Sequence, residues 1–176
     1  MSETSSCRSR LSEYCVGYNG LDVGYGGDPI IPSAICIDRA EDDGRRSHVG
    51  QHPTHLVGDA TKLSWFKSNS LDWVYSSHVL EDFDDTAAVL EEWLRVIKPG
   101  GNLILFLPDQ AVYAAHCKTH GTLPNLAHKH ADFGLSYMKA QMKKIGYVDD
   151  DIVHALWPVP GNDYSFDLVI RKKSKK

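Results

Sequence analysis

The stretch GLDVGYGGD, residues Gly20 to Asp28, decides the fold of this chain. Its apolar run Leu21 to Val23 predicts a buried β-strand, and glycines follow immediately at Gly24 and Gly26. Glycines in this position let a nucleotide-like ligand approach bare backbone at the end of a strand. An ordinary tight turn is the alternative explanation for the same glycines.

The next acidic side chain strengthens the ligand interpretation. Asp38 ends a second apolar run, residues 34–37, where a carboxylate can accept both hydroxyls of a ribose. A solvated strand end is the alternative for Asp38. Only residues 27–33 lie between the glycine turn and the second run, and they include Pro29 and Pro32. Because a helical crossover needs more residues, the first crossover helix is predicted to be vestigial, which disfavours a pyrophosphate site at its N-terminus.

Apolar runs alternate with helical patterns along the rest of the chain. Thr86 to Lys98 has apolar residues at the spacing of one buried helix face, and a Pro-Gly-Gly sequence ends it. A second helix is predicted from Ser136 to Gly146. The predicted strands are residues 21–23, 34–37, 55–57, 71–75, 102–107, 152–156 and 165–171.

This pattern is typical of a parallel sheet covered by helices on both faces. The last two predicted strands flank a proline-rich turn, which favours an antiparallel hairpin. We therefore predict an α/β, Rossmann-like open sheet of about seven strands, mostly parallel, with a C-terminal antiparallel hairpin.

Length and charge favour one domain over residues 1–176, because 176 residues suit a single core. Residues 1–15 are predicted to be a flexible segment or a short helix, and residues 172–176 a solvated basic tail. The formal net charge of −4 disfavours nucleic acid as a partner. No apolar run suits a membrane span and the cysteines are isolated, so we expect a cytoplasmic protein with no membrane partner. A homo-oligomer stays open.

Five motifs follow one another in order: LDVGYGG at 21–27, ID at 37–38, GDA at 58–60 with Leu63, SSHVLED at 76–82, and LRVIKPGG at 94–101. Their order and spacing resemble the core of class I S-adenosylmethionine-dependent methyltransferases, close to the small-molecule branch called type 11. The resemblance runs from Leu21 to Pro108 and implies S-adenosylmethionine as the cofactor. The chain departs from the family in its short first crossover and in Asp82, where the family often has histidine.

The resemblance also implies roles for individual residues. Gly24 and Gly26 would pass beneath the methionine part of the cofactor, and Asp22 would organise the loop or meet the amino group. Asp38 would hold the ribose, and Asp59 would accept from the adenine amino group. The cofactor-binding residues that it implies are Asp22, Gly24, Tyr25, Gly26, Asp38, Arg39, Asp59, Ala60, Leu63, Ser76 and Ser77.

Methyl transfer needs a general base only when the acceptor is a hydroxyl or a protonated amine. His78, at the end of the fourth strand, is the first candidate, and a histidine that merely shapes the pocket is the alternative. Residues 109–134 are too long for a simple connector and are predicted to form a substrate loop or lid. They carry His128 and His130 as further catalytic candidates or as ordinary polar residues. Their ligating side chains match no tight spacing, so no metal is predicted.

The predicted enzyme is an S-adenosylmethionine-dependent methyltransferase acting on a hydroxyl or amine of a small-molecule acceptor. The fourth strand ends in Ser-Ser-His, which disfavours the amide and adenine nitrogens that Asn/Asp-Pro-Pro-Tyr enzymes methylate. By analogy alone, the acceptor is a sugar or glycan precursor. One rival is a non-catalytic, methyltransferase-like subunit that binds and activates or stabilises a partner enzyme, which the short chain favours. A nucleotide-sugar or NAD binder is another.

Overall fold

The computed structural model describes residues 2–39 and 55–174. Their centre is a seven-stranded sheet in the order β3-β2-β1-β4-β5-β7-β6. The strands are β1 Gly20–Val23, β2 Ile35–Asp38, β3 Leu56–Val57, β4 Leu71–Ser77, β5 Ile97–Pro108, β6 Ile152–Leu156 and β7 Ser165–Arg171. Strands β1 to β5 pair in parallel, whereas β7 is antiparallel to both β5 and β6. The predicted fold class is therefore confirmed, including the C-terminal hairpin.

Four helices accompany the sheet: α1 Glu3–Leu11, α2 Thr86–Val96, α3 Gln110–His120 and α4 Leu135–Lys144. Asp85 caps α2 by accepting from the Ala88 backbone N–H, and the apolar face of α2 is buried as its spacing predicts. The chain leaves α2 earlier than predicted, because Ile97 already takes extended backbone and pairs with Leu71.

The first crossover contains turns and bends but no helix, as its length predicts. Helix α1 lies on that side of the sheet, where its Cys7 and Leu11 are buried in one cluster with Ile30 and Trp73. The Ser2 side chain caps α1, and Arg8 forms an ion pair with Asp28 of the crossover. The N-terminal helix thus covers apolar surface that a normal crossover helix would cover.

This arrangement decides between the two descriptions of the N-terminal segment. A flexible segment does not fit residues 3–14, which are helical throughout. Burial of an apolar side chain such as Leu11 stabilises the docked helix by about 1.5–3 kcal/mol, which offsets the entropy of ordering it.

The opposite face of the sheet packs on α2 and α4 through a larger apolar cluster that includes Leu21, Leu90, Trp93 and Met138. No helix in residues 2–39 and 55–174 has the length and apolar character of a membrane span. The two clusters fix the strands rigidly and leave their carboxyl ends free to carry a site.

Candidate active site at the strand-order switch

Strand β1 lies between β2 and β4, so the chain order along the sheet reverses beside it. Connections on the two sides of such a switch run away from each other and leave a crevice at the carboxyl ends of the strands. The glycine loop after β1, Asp38 at the end of β2, and residues 76–82 after β4 all meet at this edge. The crevice is therefore the candidate active site.

Asp22 anchors the floor of the crevice from inside β1. Its side chain is fully buried, and its Oδ2 accepts from the Ile30 backbone N–H at 2.7 Å. Burial raises the pKa of Asp22 to about 8. Its Oδ1 has no hydrogen-bond partner among the described residues. Of the two implied roles, organising the loop is the one that these contacts fit.

Gly24 and Gly26 of the glycine loop have different surroundings. Both have left-handed backbone, with φ of +68° at Gly24 and +58° at Gly26. A Cβ on Gly24 would lie 2.3 Å from Val79 Cγ2, so the missing side chain makes room for Val79. A Cβ on Gly26 would meet no described atom within 4 Å, so Gly26, unlike Gly24, combines bare backbone with open space.

Asp38 holds the glycine loop while keeping acceptor capacity. Its Oδ2 accepts from the Gly26 backbone N–H at 3.2 Å, and its Oδ1 accepts from the Arg39 backbone N–H at 2.9 Å. Each carboxylate oxygen has a further lone pair for a ribose hydroxyl. The Tyr25 side chain points the other way and packs in the cluster under α1, so only its backbone faces the crevice.

The loop after β3 supplies the implied adenine contacts. Asp59 Oδ1 accepts from the Thr61 backbone N–H and hydroxyl at 2.8 and 2.7 Å, and these hydrogen bonds lower the pKa of Asp59. The Ala60 carbonyl accepts from Trp93 Nε1 at 2.8 Å, and Leu63 is fully buried below. The loop is therefore fixed by the core while Asp59 stays ionised at its surface.

Two serines end β4 with different surroundings. Ser76 is buried, and its hydroxyl donates to the Val23 carbonyl at 2.9 Å, so it ties β4 to β1 and its side chain does not reach a ligand. The Ser77 hydroxyl is also buried but has no partner among the described residues. An unpaired buried hydroxyl is costly, which marks Ser77 as the serine that awaits a polar group.

The acceptor side of the crevice carries a cluster that we name the carboxyl–imidazole cluster: His78, Glu81 and His128. Glu81 is 1% exposed, and its Oε1 lies 3.7 Å from His78 Nδ1 and 3.6 Å from His128 Nε2. Neither Glu81 oxygen has a hydrogen-bond partner among the described residues. Burial raises the pKa of Glu81 and lowers that of His128, and it lowers the pKa of His78 to about 3, with His128 as a second cause.

The chain brings this cluster together from distant segments. His78 takes a left-handed backbone with φ of +51° and donates its N–H to the Phe106 carbonyl at 2.9 Å. The Lys129 N–H donates to the Glu81 carbonyl at 2.9 Å, which holds His128 beside Glu81. A non-glycine residue in this conformation stores strain, a feature concentrated at functional sites.

His130 does not join the cluster. Its Nε2 lies 2.9 Å from the Phe83 carbonyl, and its ring packs on Tyr137 and Phe133 between α2 and α4. The structure therefore separates two candidate bases that sequence proximity had grouped. These contacts fit a structural histidine.

The segment 109–134, predicted as a substrate loop or lid, begins with α3 and continues as loop. Helix α3 was not predicted, because Cys117 is its only buried residue and its sequence therefore has no apolar stripe. Tyr113 and His116 of α3 contact Tyr164, which precedes β7. Tyr164 in turn donates to Glu3 of α1 at 3.1 Å, so aromatic and acidic groups from three elements border the cluster.

Sequence reasoning missed Glu81, Glu3, Gln110 and Ser165 as site residues. Glu81 belongs to the SSHVLED motif at 76–82, and its closeness to His78 in that motif was the sequence feature that could have indicated it. Within residues 2–39 and 55–174, no group of three or more His, Cys, Asp or Glu side chains is arranged to hold a metal ion.

Comparisons with known proteins agree with this geometry. Residues 29–105 match the family model described as a methyltransferase domain. No curated protein in the comparison matches the chain. Among solved structures, a Thermotoga maritima S-adenosylmethionine-dependent methyltransferase is 17% identical, with TM-score 0.70 over 97% of this chain and 89% of that one.

Two further structures have the same fold. A chain from the complex that contains the Haloferax volcanii Trm112 methyltransferase activator is 14% identical, with TM-score 0.68 over 99% of this chain and 90% of that one. Haemonchus contortus phosphoethanolamine N-methyltransferase 2, solved with S-adenosylmethionine, is 12% identical, with TM-score 0.63 over 95% of this chain and 52% of that one. At these identities the likeness shows the fold.

An open α/β sheet with a ribose-binding type of carboxylate and a bare glycine backbone at its switch point fits a protein that binds a nucleoside cofactor. The match over residues 29–105 and the shared fold support a class I S-adenosylmethionine-dependent methyltransferase, and S-adenosylmethionine is the cofactor that the matched domain family indicates. The residues present fit that cofactor: bare backbone at Gly26, carboxylates at Asp38 and Asp59, and an unpaired hydroxyl at Ser77.

Proposed function

We propose that this chain transfers a methyl group from S-adenosylmethionine to a hydroxyl or amine of a small molecule. The observation that carries the proposal is the pairing of Asp38 with Gly26: a half-buried carboxylate accepts from the N–H of a loop glycine at which a Cβ would meet no described atom within 4 Å. This pairing puts acceptors for a sugar diol beside backbone that a ligand can approach closely.

The cofactor site divides among three loops. Asp38 accepts from the ribose, Asp59 and the Ala60 backbone bind the adenine, and the backbone at Gly26 with the Ser77 hydroxyl binds the methionine part. Arg39, the residue after Asp38, borders the proposed cofactor site. When bound, S-adenosylmethionine supplies a methyl group made electrophilic by the positive sulfur. The chain's contribution is to align acceptor and methyl group and to exclude water, which helps a reaction that neutralises charge.

The acceptor side supports an oxygen or nitrogen nucleophile. His78 is 15% exposed on its side chain, and it lies at the end of β4 next to Ser77. An imidazole there can take the acceptor's proton, and Tyr113, His116 and Tyr164 offer flat surfaces for a small molecule. A sugar or glycan precursor stays an acceptor class suggested by analogy alone.

Ligand-dependent thermal unfolding tests the cofactor half of this proposal. At one hundred times its dissociation constant, S-adenosylmethionine or S-adenosylhomocysteine should stabilise the chain by about 2.7 kcal/mol. NAD and a nucleotide sugar serve as controls and should give no stabilisation. Stabilisation by either control instead would assign the crevice to a different nucleoside ligand.

Release of S-adenosylhomocysteine across a panel of small alcohols, sugars and amines tests the transfer itself. The expected result is release that depends on one class of acceptor and is lost on heating the protein. Cofactor binding without release from any acceptor would favour the second candidate below.

A second candidate is a methyltransferase-like subunit that binds a partner enzyme. Leu123 and Leu126, in the loop after α3, are 92% and 94% exposed, and two apolar side chains so close together favour a docked partner. The Haloferax volcanii relative comes from a complex with a methyltransferase activator. Leu123→Ser with Leu126→Ser should leave acceptor-dependent release unchanged if the chain acts alone, and abolish partner-stimulated release if it does not.

A further inference from the structure

The carboxyl–imidazole cluster contains more acceptors than donors. His128 Nδ1 lies 2.6 Å from Gln110 Oε1, and because an amide oxygen only accepts, Nδ1 carries the proton of the neutral ring. The lone pair of His128 Nε2 therefore faces Glu81 Oε1 at 3.6 Å. Two acceptors facing each other in a buried space need a proton between them.

His78 repeats this arrangement on the other side of Glu81. Its Nε2 lies 3.0 Å from Ser165 Oγ, while its Nδ1 faces the same Glu81 Oε1 at 3.7 Å. Each ring thus has its far nitrogen in a hydrogen bond and its near nitrogen directed at one buried carboxyl oxygen. Fixing the far nitrogen sets the ring orientation, which is how second partners prepare a histidine for proton transfer.

Among residues 2–39 and 55–174, the groups around the cluster supply no cation. Glu3 Oε2 of α1 lies 3.7 Å from His78 Nε2, and it accepts from Asn162 at 3.0 Å. Tyr113 packs on His128, Tyr164 packs on His78, and Asp82 follows Glu81 in the chain. All of these side chains are acidic or neutral. Among the described residues, the positive charge beside Glu81 can therefore come only from protonation of the His78 or His128 ring.

We propose that Glu81 is a positioning residue that joins His78 and His128 into one proton-accepting unit for the methyl acceptor. The inference rests on the proposed function and specifies it: the acceptor is a molecule whose nucleophilic oxygen or nitrogen carries a proton.

The transfer balances as follows. The acceptor's O–H or N–H bond breaks, and its proton goes to the His78 ring, the more exposed ring of the two. A lone pair on the acceptor forms the new bond to the methyl carbon, and the electron pair of the carbon–sulfur bond stays on sulfur. The proton already shared by Glu81 and His128 then lies on the His128 ring, so the ionised Glu81 carboxylate stabilises the His78 imidazolium.

Titration of the ring nitrogens by NMR on histidine-labelled protein tests this inference without an acceptor. Because a carboxylate favours protonated neighbours, the imidazolium forms of His78 and His128 should lose their extra proton at a pH that is higher by about 1 or more in the wild type than in Glu81→Gln. The two rings should also titrate together in the wild type. Glu91→Gln changes the same residue type at an exposed position of α2 and should leave both titrations unaltered.

His128→Gln provides a second variant if Glu81→Gln does not fold. It should change the titration of His78, since the two rings share one carboxyl group. Identical ring titrations in the wild type and Glu81→Gln, or independent titration of the two rings, would overturn the inference. Ring shifts induced by added Zn²⁺ and reversed by a chelator would also overturn it, by showing a metal site instead.

Binding of S-adenosylhomocysteine, measured on the same samples, separates this inference from the proposed function. Loss of binding in the wild type would remove the proposed function while leaving the ring titrations to be judged alone. Normal binding with unaltered titrations in Glu81→Gln would remove only the role of Glu81.

Discussion

The cofactor half and the acceptor half of the crevice differ in the burial and the hydrogen bonding of their carboxyl groups. On the cofactor half, Asp38 and Asp59 are ionisable groups near the surface whose oxygens already accept from backbone N–H groups. On the acceptor half, Glu81 is sealed from water between two imidazoles and has no hydrogen-bond partner among the described residues. Asp38 and Asp59 are thus hydrogen-bonded and near the surface, whereas Glu81 is buried without a hydrogen-bond partner among the described residues.

This difference indicates what each half does. A satisfied carboxylate with spare lone pairs can bind a neutral diol without a large change in charge, which suits recognition. An unsatisfied buried carboxyl beside imidazoles responds strongly to the arrival of one proton, which suits chemistry. Substitutions on the two halves should therefore separate binding from turnover.

The largest expected effect is on turnover, from His78→Gln. Loss of a positioned general base should lower kcat for the identified acceptor by about 100-fold or more. Binding of S-adenosylhomocysteine, measured by calorimetry, should change little, because Gln keeps a polar group near Ser165. A large loss of binding with kcat unchanged would mean that His78 belongs to the cofactor half.

Asp38→Ala should produce the converse result. Removing the carboxylate takes away charge-assisted hydrogen bonds to the ribose, which should weaken S-adenosylhomocysteine binding by about 10- to 100-fold. Asp150→Ala removes an exposed carboxylate between α4 and β6; this variant is the control and should bind normally. If saturating cofactor restores kcat in Asp38→Ala, the assignment of this residue to binding is sharpened.

The two loop glycines allow a comparison inside the cofactor half. Gly24→Ala should destabilise the fold by about 2 kcal/mol or more, because the new Cβ meets Val79 in addition to the strained backbone. Gly26→Ala faces open space, so it should cost only about 1 kcal/mol in stability but weaken cofactor binding. Denaturant unfolding and calorimetry on both variants check this, and equal stability losses would contradict it.

The smallest contrast compares two histidines of the same loop. His128→Gln should lower kcat by about tenfold, since it removes one ring of the proton-accepting unit. His130→Gln should leave kcat close to wild type and instead lower the melting temperature, because His130 contacts Phe83 and Tyr137. Measurements of kcat and of melting temperature on both variants test these roles. A larger loss of kcat in His130→Gln than in His128→Gln would reverse the assignment.

The fold was predictable because its signals are local. The apolar runs and the glycine loop lie in short segments, and the shortness of residues 27–33 alone predicts the missing crossover helix. Helix α3 escaped prediction because its surroundings bury only Cys117. The role of α1 as a replacement cover depends on contacts with Ile30 and Trp73, which periodicity does not reveal.

The two halves of the site also differ in how directly the sequence predicts them. Asp38 and Gly26 sit in motifs whose order points to a nucleoside crevice, so the sequence indicates them directly. The acceptor half draws His78, Glu81, His128 and Ser165 from segments far apart in the chain. Sequence adjacency favoured His130 as much as His128. The folded contacts distinguish them, because the hydrogen bond from the Lys129 N–H to the Glu81 carbonyl holds His128 beside Glu81, whereas His130 contacts the Phe83 carbonyl.

Diffraction from crystals grown with S-adenosylhomocysteine tests the central claim most directly. The account predicts density for the nucleoside across the carboxyl edge of the sheet, with both ribose hydroxyls in hydrogen-bond contact with Asp38 and the sulfur on the side of Ser77 and His78. A crevice that stays empty at saturating ligand, or a nucleoside bound away from Asp38, would contradict it.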